Sequence, residues 1–445
     1  MSIDFKIRNF AHPLTIAKLH NFMEKSQWFP REQMREYQLK RLKAMVRHCY
    51  DNIPYYKRLF DSVSLKPTDI KSLEDLKKIP TLTKEMVRRN FEALTARNVK
   101  RYTPSLCCTT GTSGEPVSFY SDKASKVLEF CYYWRYWSWA GYSLGMPFAD
   151  FSLHAFLDSE VNVIVKYSRL TRRLLLNPAH LSMKNLDLFV SAIRKKRCRF
   201  LKGCPSTLYA FSILLKKKGV TDLPMKCIFT TGELLLPHQR KDIEKAFHCS
   251  IIDSYGHMER TAAISQCPSG QYHIHSDYGI LEVKRNEQLS GREGMAGTVI
   301  GTNIYNYAMP LLRYNVNDLV ELDSSGRICE CGRQLPLCKE IIGRRQDIIS
   351  TPDGKLLTNV FILYGILEGV IWAQIIQEDI STLRVRIVKD NCFNPATERV
   401  FFDKLRGLVG GQMKLVREYP SRESLQEPRC GTKYKPVISK VEIPE

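Results

Sequence analysis

The stretch that decides the fold is SIIDSYGHME, residues 250–259. Its first residues, 250–253, predict a short buried strand, and a polar turn containing a glycine follows at once. Upstream, from about 184 to 253, helical and strand patterns alternate. This alternation predicts right-handed crossovers and a parallel sheet with helices on its faces. The predicted elements are a helix over 184–196, strands over 200–202, 226–229 and 250–253, and helices after Pro205 and Pro237.

Outside this unit the patterns change and divide the chain. Residues 278–323 have a more purely β pattern, and after Gly343 short strands begin again with helical segments between them. With 445 residues the chain is also too long for one ordinary core. We therefore predict an α/β fold. A large N-terminal domain over 1–343 has parallel-rich sheets flanked by helices plus a β subdomain, and a small α+β domain spans 344–445, with helices near 359–367 and 395–408.

The net charge favours polyanionic ligands. The chain has 67 Lys and Arg against 46 Asp and Glu, a formal charge of +21. Such an excess suits nucleic acid, an anionic membrane face or phosphorylated small molecules. The basic residues are scattered, and no zinc-finger array or RNA-recognition signature points to nucleic acid. No segment approaches the ~18 apolar residues of a membrane helix, and no signal region opens the chain. We expect a cytoplasmic protein without a membrane span, and the sequence leaves a homodimer open.

A loop rich in glycine and hydroxyl side chains occupies residues 109–116, with the sequence TTGTSGEP. Glycines let backbone N–H groups approach an anion closely, and the hydroxyls add donors for phosphate oxygens. No Gly-Lys-Ser/Thr follows, so this is not a Walker A loop. Residues 117–120 have a strand pattern, which predicts a strand–loop–strand hairpin. Taken alone, the loop fits a phosphate site and a flexible surface loop equally well.

Three further polar elements lie next to predicted strands. Ligands of open α/β sheets bind at the carboxyl ends of the strands. TTGE at 230–233 ends one strand and YGHME at 255–259 ends the next. PLLRYNVND at 310–318 places Asp318 before an apolar-flanked strand, and GRRQD at 343–347 lies at the domain boundary. Each element alone is a weak signal, but these four elements and the loop over 109–116, in this order, form a specific pattern.

In order and spacing these five elements resemble the core motifs of the adenylate-forming superfamily of acyl-CoA synthetases, adenylation domains and luciferases. DNIPYY at 51–56, IPTLTK at 79–84 and TTGE at 230–233 resemble the branch of phenylacetate–CoA ligases and capsule-biosynthesis ligases. The resemblance runs from about residue 40 to the end of the chain.

The resemblance implies how ATP and Mg²⁺ would be bound. Glu259 would bind Mg²⁺, which neutralises phosphate charge while the carboxylate attacks the α-phosphorus. Asp318 would accept both ribose hydroxyls. The ordinary alternatives are a helix N-terminal charge for Glu259 and a turn residue for Asp318. The other implied residues are Thr109, Thr110, Gly111, Thr112, Ser113 and Gly114 at the β- and γ-phosphates, Gly232, Glu233 and Tyr255 at the adenine, Gly256 as a further nucleotide-binding residue, and Arg344 near the ribose.

The C-terminal segment GTKYK, 431–435, is similar to the Gly-Lys tail motif of the same superfamily. The resemblance implies that Lys433 reaches into the active site during adenylation. A lysine suits this task because it is a compact charge on a flexible stem. Lys435 is the alternative in a shifted register, and a solvated tail lysine is the ordinary one.

A Cys-x-Cys pair follows a Cys and a His at a distance, which predicts a structural zinc site. Three thiolates and one imidazole make a plausible tetrahedral ligand set, and related ligases carry such residues at matching places. The predicted ligands are Cys267, His273, Cys329 and Cys331, with His275 and Cys338 as alternates for single ligands. Buried thiols without metal are the alternative.

An aromatic run over 132–139 follows the phosphate loop. It fits a wall of the acyl pocket or, as is commoner for aromatics at helical spacing, part of the core. His154 resembles a substrate-side residue of the superfamily.

These patterns predict an ATP-dependent, AMP-forming carboxylic acid ligase. Its acyl acceptor is coenzyme A in the preferred interpretation. An amine or hydroxyl acceptor in polysaccharide or natural-product biosynthesis is the alternative within the enzyme class. A basic binding protein that kept the fold without the chemistry is the alternative outside it. The sequence does not name the acid.

Overall fold

Three helices open the structure, a computed structural model of the chain: α1 (Pro13–Ser26), α2 (Arg31–Asn52) and α3 (Pro54–Ser62). One face of α2 packs into the core, since Leu42, Met45 and Cys49 are buried. The helix ends at Asn52 because Ile53, which precedes a proline, is extended with φ −111° and ψ 107°. The structure describes residues 13–109, 117–156, 162–223, 225–286, 289, 292, 294–344, 349–353, 356–357, 360, 363–364, 367–390, 392–421 and 436–441.

A hairpin and a long helix follow two short helices, α4 (Lys84–Arg89) and α5 (Phe91–Leu94). The hairpin strands β1 (Ser105–Cys108) and β2 (Ser118–Ser121) are antiparallel, as predicted. Helix α6 (Lys123–Trp139) starts at Asp122, whose side chain accepts a hydrogen bond from the Ser125 amide. Its aromatic residues face the core, because Tyr132, Tyr133, Tyr136 and Trp137 are all buried.

The centre of the fold is a twelve-stranded sheet, one half of which is largely parallel. Its central strands are buried along most of their length, as expected where helices cover both faces. The predicted alternation of strands and helices is confirmed. The parallel strands are β3 (Phe148–Phe151), β5 (Arg173–Leu176), β6 (Phe200–Gly203), β7 (Cys227–Thr231) and β8 (Ile251–Gly256), with β4 (Val165–Ser168) antiparallel at the edge. The connecting helices are α7 (Leu186–Lys195), α8 (Pro205–Lys218) and α9 (Pro237–Phe247).

The other half of the sheet is antiparallel and continues directly from β8. The predicted β-rich part is therefore joined edge to edge with the parallel half. Its strands, in spatial order from β8, are β9 (Ala263–Gln266), β10 (Tyr272–Ile274), β14 (Leu337–Arg344), β13 (Tyr314–Leu322), β12 (Met295–Asn303) and β11 (Gly279–Arg285).

A second, smaller sheet is formed after residue 349, so the predicted fold class is confirmed: a large α/β unit and a small α+β unit. Its four strands are arranged in the order β19-β18-β17-β20. The predicted helix near 395–408 is present as α10, whereas 359–367 lies largely outside the described residues. The elements are β15 (Ile349–Ser350), β16 (Leu356–Leu357), β17 (Val370–Asp379), β18 (Thr382–Lys389), α10 (Pro395–Val409), β19 (Lys414–Glu418) and β20 (Val437–Ser439).

Helix length and hydropathy bear on the membrane question. Within the described ranges, no helix combines the length and apolar character needed to cross a bilayer.

Candidate active site

Two of the predicted elements lie side by side at the carboxyl ends of β7 and β8. The two strands are parallel, and Thr231 pairs with Ser254 in their register. Gly232 follows β7 with φ +89°, a left-handed conformation that a glycine adopts without strain. Tyr255 and Gly256 end β8. The structure thus brings the TTGE and YGHME elements together at one edge, where ligands of such sheets bind.

Glu233 has a hydrogen-bonding partner at the start of a helix. Its Oε2 accepts a hydrogen bond of 3.0 Å from the backbone N–H of Ser206, in the first turn of α8. A carboxylate there is stabilised by the unpaired N–H groups and the helix dipole. This contact gives Glu233 a structural task and fixes the backbone on which Gly232 lies.

Asp318 reaches the same edge from the antiparallel half of the sheet. The Tyr255 hydroxyl donates a hydrogen bond of 2.9 Å to its Oδ2. In the β13–β14 register Asp318 pairs with Arg344. Three of the predicted elements therefore meet at one point, although up to 89 positions separate their residues in the sequence. The side chain of Arg344 lies outside the described part of the chain.

Glu259 is buried, with 4% of its surface exposed, and is held on both sides. The Tyr314 hydroxyl donates a hydrogen bond of 2.7 Å to its Oε1. The Asn303 side-chain amide donates to the carbonyl oxygens of Glu259, at 3.1 Å, and Arg260, at 2.8 Å. Burial, together with the Glu259 charge, raises the pKa of Tyr314, so the phenol remains a donor. Glu259 is therefore a fixed carboxylate rather than a solvated helix-end charge.

The segment 257–261 lies tightly over the neighbouring strands. A Cβ atom on Gly301 of β12 would approach the Thr261 Oγ1 to 1.9 Å, and one on Gly279 of β11 would approach the Thr261 carbonyl oxygen to 2.1 Å. Only glycine leaves room for the segment at these two positions. Packing of this kind holds Glu259 in place more firmly than a surface loop would.

Three further candidate residues were not predicted from the sequence: His257, Arg260 and Glu129. The Nε2 of His257 accepts a hydrogen bond of 3.2 Å from the Thr261 amide, while its buried Nδ1 has no partner among the described residues. Burial lowers the pKa of His257, which favours the neutral ring. Its position inside YGHME was a usable signal. Arg260 and Glu129 form an ion pair at 2.6 Å that no local pattern indicates.

The predicted phosphate loop is described only at its base. The Thr109 amide donates to the Val117 carbonyl, and the Val117 amide donates to the Thr109 hydroxyl, both at 2.9 Å. These bonds close the ends of the loop between β1 and β2. Thr110, Gly111, Thr112, Ser113 and Gly114, the side chain of His154, and Lys433 with Lys435 lie outside the described residues.

The four predicted zinc ligands converge in space. Their ligand atoms all lie within 4.8 Å of one another, with 3.7 Å between the sulfur atoms of Cys267 and Cys329 and 3.4 Å between Cys331 Sγ and His273 Nε2. A tetrahedral zinc with bonds of about 2.0–2.3 Å separates its ligand atoms by about 3.3–3.8 Å. The donor set and these two measured separations therefore fit Zn²⁺.

The environment of the cluster also suits a metal. The His273 Nδ1 lies 3.4 Å from the Leu335 carbonyl oxygen, an arrangement that orients the ring and directs Nε2 at the thiols. Burial raises the pKa of the Cys331 thiol, but hydrogen bonds from Arg333 offset this and lower it below its ordinary value. A lowered thiol pKa favours the thiolate that binds metal.

The two alternate ligands have other partners. His275 Nε2 lies 2.7 Å from the Ser265 hydroxyl, and its Nδ1 contacts Arg135, which forms an ion pair of 2.6 Å with Asp277. The Cys338 thiol contacts backbone carbonyl oxygens at 3.3 and 3.4 Å. Neither side chain belongs to the four-residue cluster.

Comparisons with known proteins agree with the predicted resemblance. Residues 349–440 match the family described as the CapK C-terminal domain. Protein CapK of Staphylococcus aureus is 23% identical over 363 residues, which cover 80% of this chain and 78% of that protein. A phenylacetate-coenzyme A ligase of Thermus thermophilus is 26% identical over 341 residues, 72% of each chain. The predicted branch of relatives is thereby confirmed.

The fold has a counterpart among solved structures. The crystal structure of 2-hydroxyisobutyryl-CoA ligase, in the postadenylation state in complex with R3-HIB-AMP, superposes with a TM-score of 0.68 at 17% identity. The superposition covers 93% of this chain and 90% of that chain. At this identity the likeness shows that the two proteins share a fold.

Proposed function

We propose that this protein is an ATP-dependent, AMP-forming carboxylic acid ligase that transfers its acyl group to coenzyme A. The observation that carries the proposal is the hydrogen bond from Tyr255 to Asp318 at the carboxyl edge of β8, with Glu259, held by Tyr314, four residues further along the chain. The relatives supply the reaction class, since phenylacetate-coenzyme A ligase is the name of several of them.

In the first half-reaction a carboxylate oxygen of the acid attacks the α-phosphorus of ATP and pyrophosphate leaves. Asp318 accepts the ribose hydroxyls, while Tyr255 fixes the carboxylate through the bond to its Oδ2. Glu259 offers hard oxygen ligands of the kind that Mg²⁺ prefers. When bound there, Mg²⁺ neutralises the phosphate charge that opposes attack. Thr109–Gly114, Gly232, Glu233, Gly256 and Arg344 complete the proposed nucleotide site.

In the second half-reaction the thiolate of coenzyme A attacks the acyl carbon, the bond to the AMP oxygen breaks, and a thioester and AMP form. Transfer to an amine or hydroxyl acceptor is the alternative, and the similarity to CapK is the observation that favours it. A cytoplasmic location and a homodimer remain predictions.

The test of the proposal is pyrophosphate exchange. Purified protein with ATP, Mg²⁺ and labelled pyrophosphate should incorporate label into ATP only when a carboxylic acid is added. Aryl, aliphatic and amino acids should be screened, each with and without coenzyme A. Exchange that no acid supports would favour a binding protein on this fold.

We also propose that Cys267, His273, Cys329 and Cys331 hold one structural zinc ion. Protein purified without chelator should contain one equivalent of zinc by elemental analysis, and chelation should lower its melting temperature by about 5 °C or more. Cys331→Ser should lose the metal. Cys338→Ser, a change at a buried thiol outside the cluster, should retain it. Metal-free protein whose melting temperature is insensitive to chelator would exclude the site.

The domain over 344–445 is further proposed to be a mobile lid. The contact that Leu236 makes with this domain allows the proposal to be tested. Leu236 is 2% exposed and packs into the hydrophobic cluster of the smaller unit, with Ile349 and Phe401 among its members. It lies three residues after Glu233. Its neighbour Leu235 packs instead on the helices and strands of the large unit.

If the lid must rest on Leu236 for adenylation, Leu236→Ser should lower exchange about 10- to 100-fold, since burial of a leucine side chain contributes about 1.5–3 kcal/mol. Thioester formation from supplied acyl-adenylate should be affected less. Leu235→Ser is the matched control and should affect both half-reactions alike. Equal losses for Leu236→Ser would mean that its contact serves stability alone.

A further inference from the structure

A buried ion pair lies beside the proposed reaction centre. Arg260 Nε donates a hydrogen bond of 2.6 Å to Glu129 Oε2, and the side chains are 10% and 9% exposed. Burial opposes the charge of Arg260, but Glu129 and Tyr278 offset this, so its pKa is raised. The pair joins α6 to the residue that follows Glu259.

The position of the pair is fixed by three further bonds. Arg260 Nη1 donates to the Ser121 hydroxyl at 2.9 Å and to the Met258 carbonyl at 3.3 Å. The Asn303 amide holds the carbonyl oxygen of Arg260. Ser121 ends β2, the strand that leaves the phosphate loop. Arg260 has φ +55°, a left-handed conformation that is costly for a residue with a side chain. The chain therefore holds the guanidinium between the loop hairpin and the YGHME segment.

The second carboxylate oxygen of Glu129 takes no part in the ion pair with Arg260. Its Oε1 is buried, and in the described part of the chain no donor reaches it. The residue as a whole is 7% exposed. Burying a polar atom without a hydrogen-bond partner destabilises the protein, and the cost is larger for a carboxylate oxygen than for a neutral oxygen. Such atoms are therefore normally hydrogen-bonded in the functional state of a protein. The neighbouring Tyr133 and Tyr278 are also buried, and both phenols have pKa values raised by burial and by Glu129.

We propose that Glu129 Oε1 accepts a hydrogen bond from a hydroxyl or ammonium group on the acid substrate, so that the pocket selects acids carrying such a donor over purely hydrocarbon acids. Arg260 is the positioning residue, because it orients Glu129 through Oε2 and leaves Oε1 for the ligand. The inference rests on the proposed function and gives it a substrate class. A hydrocarbon acid would leave the carboxylate oxygen unpaired, which is the situation in which a hydrogen-bonding site rejects an analogue.

The test compares acids in matched series by kcat/KM for pyrophosphate exchange. The series are phenylacetate, mandelate and phenylglycine; butyrate, 3-hydroxybutyrate and 3-aminobutyrate; propionate, lactate and alanine. In the series that the enzyme accepts best, a donor-carrying acid should exceed the hydrocarbon acid by about 100-fold or more. Glu129→Leu should reduce this ratio to within about threefold of unity, because no acceptor remains.

Glu129→Gln separates the two donors. It keeps an acceptor oxygen but removes the charge, so a hydroxyl acid should lose about tenfold or less and an ammonium acid about 100-fold. The matched control is Glu321→Gln, which removes a carboxylate from another ion pair, 2.8 Å from Arg292, and should leave the ratio unchanged. Should Glu129→Leu fail to fold, Glu129→Leu/Arg260→Met removes both charges together.

Three results would overturn the inference. A hydrocarbon acid that equals or outranks its hydroxy and amino analogues in the wild-type enzyme would contradict the inference, in a comparison that needs no variant. An unchanged ratio in a folded Glu129→Leu protein would assign the oxygen to water or to a donor of the chain. Absence of exchange with every acid would overturn the proposed function itself and the inference with it, whereas exchange with the wrong preference overturns the inference alone.

Discussion

Replacing Glu259 with glutamine should lower acid-dependent pyrophosphate exchange about 10²–10³-fold. Glutamine preserves the size of the side chain and an oxygen that can accept the Tyr314 hydrogen bond, which measures 2.7 Å in the structure. Only the charge that is proposed to bind Mg²⁺ is lost. The loss should be largest at low Mg²⁺ and should shrink in part as the metal is raised, because weaker binding can be compensated by concentration.

The matched control is Tyr314→Phe, which keeps the carboxylate and removes its hydrogen-bond donor. It should cost about tenfold, the factor for about 1.4 kcal/mol, in line with one hydrogen bond to a charged group. A Glu259→Gln enzyme that exchanges within threefold of wild type at every Mg²⁺ concentration would remove Glu259 from the metal site.

Replacing Lys433 with alanine should lower adenylation about 10²–10³-fold and spare transfer from a supplied acyl-adenylate. The resemblance of GTKYK to the tail motif motivates this expectation, and the charge that develops on the α-phosphate gives its physical reason. Exchange measures the first half-reaction, and thioester formation from synthetic acyl-adenylate measures the second. Lys435→Ala is the matched control two residues away. Normal exchange in Lys433→Ala with loss in Lys435→Ala would transfer the role to Lys435.

The parallel half of the sheet could be predicted because its signals are local. Short apolar runs separated by helical patterns indicate β6, β7 and β8, and the structure has them within two residues of the expected starts. Proline at the first turn marks α8 and α9. Because neighbouring parallel strands end at the same edge of the sheet, the polar residues that follow them must lie close together. The proximity of the TTGE and YGHME elements could therefore be predicted from the sequence.

The antiparallel half was harder to predict, because its pairing is between distant segments. β10 pairs with β14, whose partner residue Leu337 lies 64 positions after His273. No local pattern specifies such a register. The same limit applies to the zinc ligands: spacing left His275 and Cys338 open, and only the fold shows that both have other partners.

The ion pair between Arg260 and Glu129 could not be found from sequence for a related reason. Arg260 and Glu129 are 131 positions apart, and each has the character of an ordinary charge in its own segment. Helix α6 is buried on nearly all sides, and its aromatic residues belong to the core, the commoner of the two interpretations of the aromatic run. Glu129 lies on the same helix as a buried acid, a residue type that is rare in cores unless paired, and only the fold shows that its partner is Arg260.

The central claim, that the acid is activated by forming a bond to the α-phosphorus, is tested most directly by following an oxygen atom. The acid that supports exchange is labelled with ¹⁸O in its carboxylate and converted with ATP, Mg²⁺ and coenzyme A. Attack on the α-phosphorus transfers one carboxylate oxygen, so the AMP formed should carry one ¹⁸O. Unlabelled AMP, or label found in inorganic phosphate together with ADP, would contradict an acyl-adenylate and with it the account given for Glu259 and Asp318.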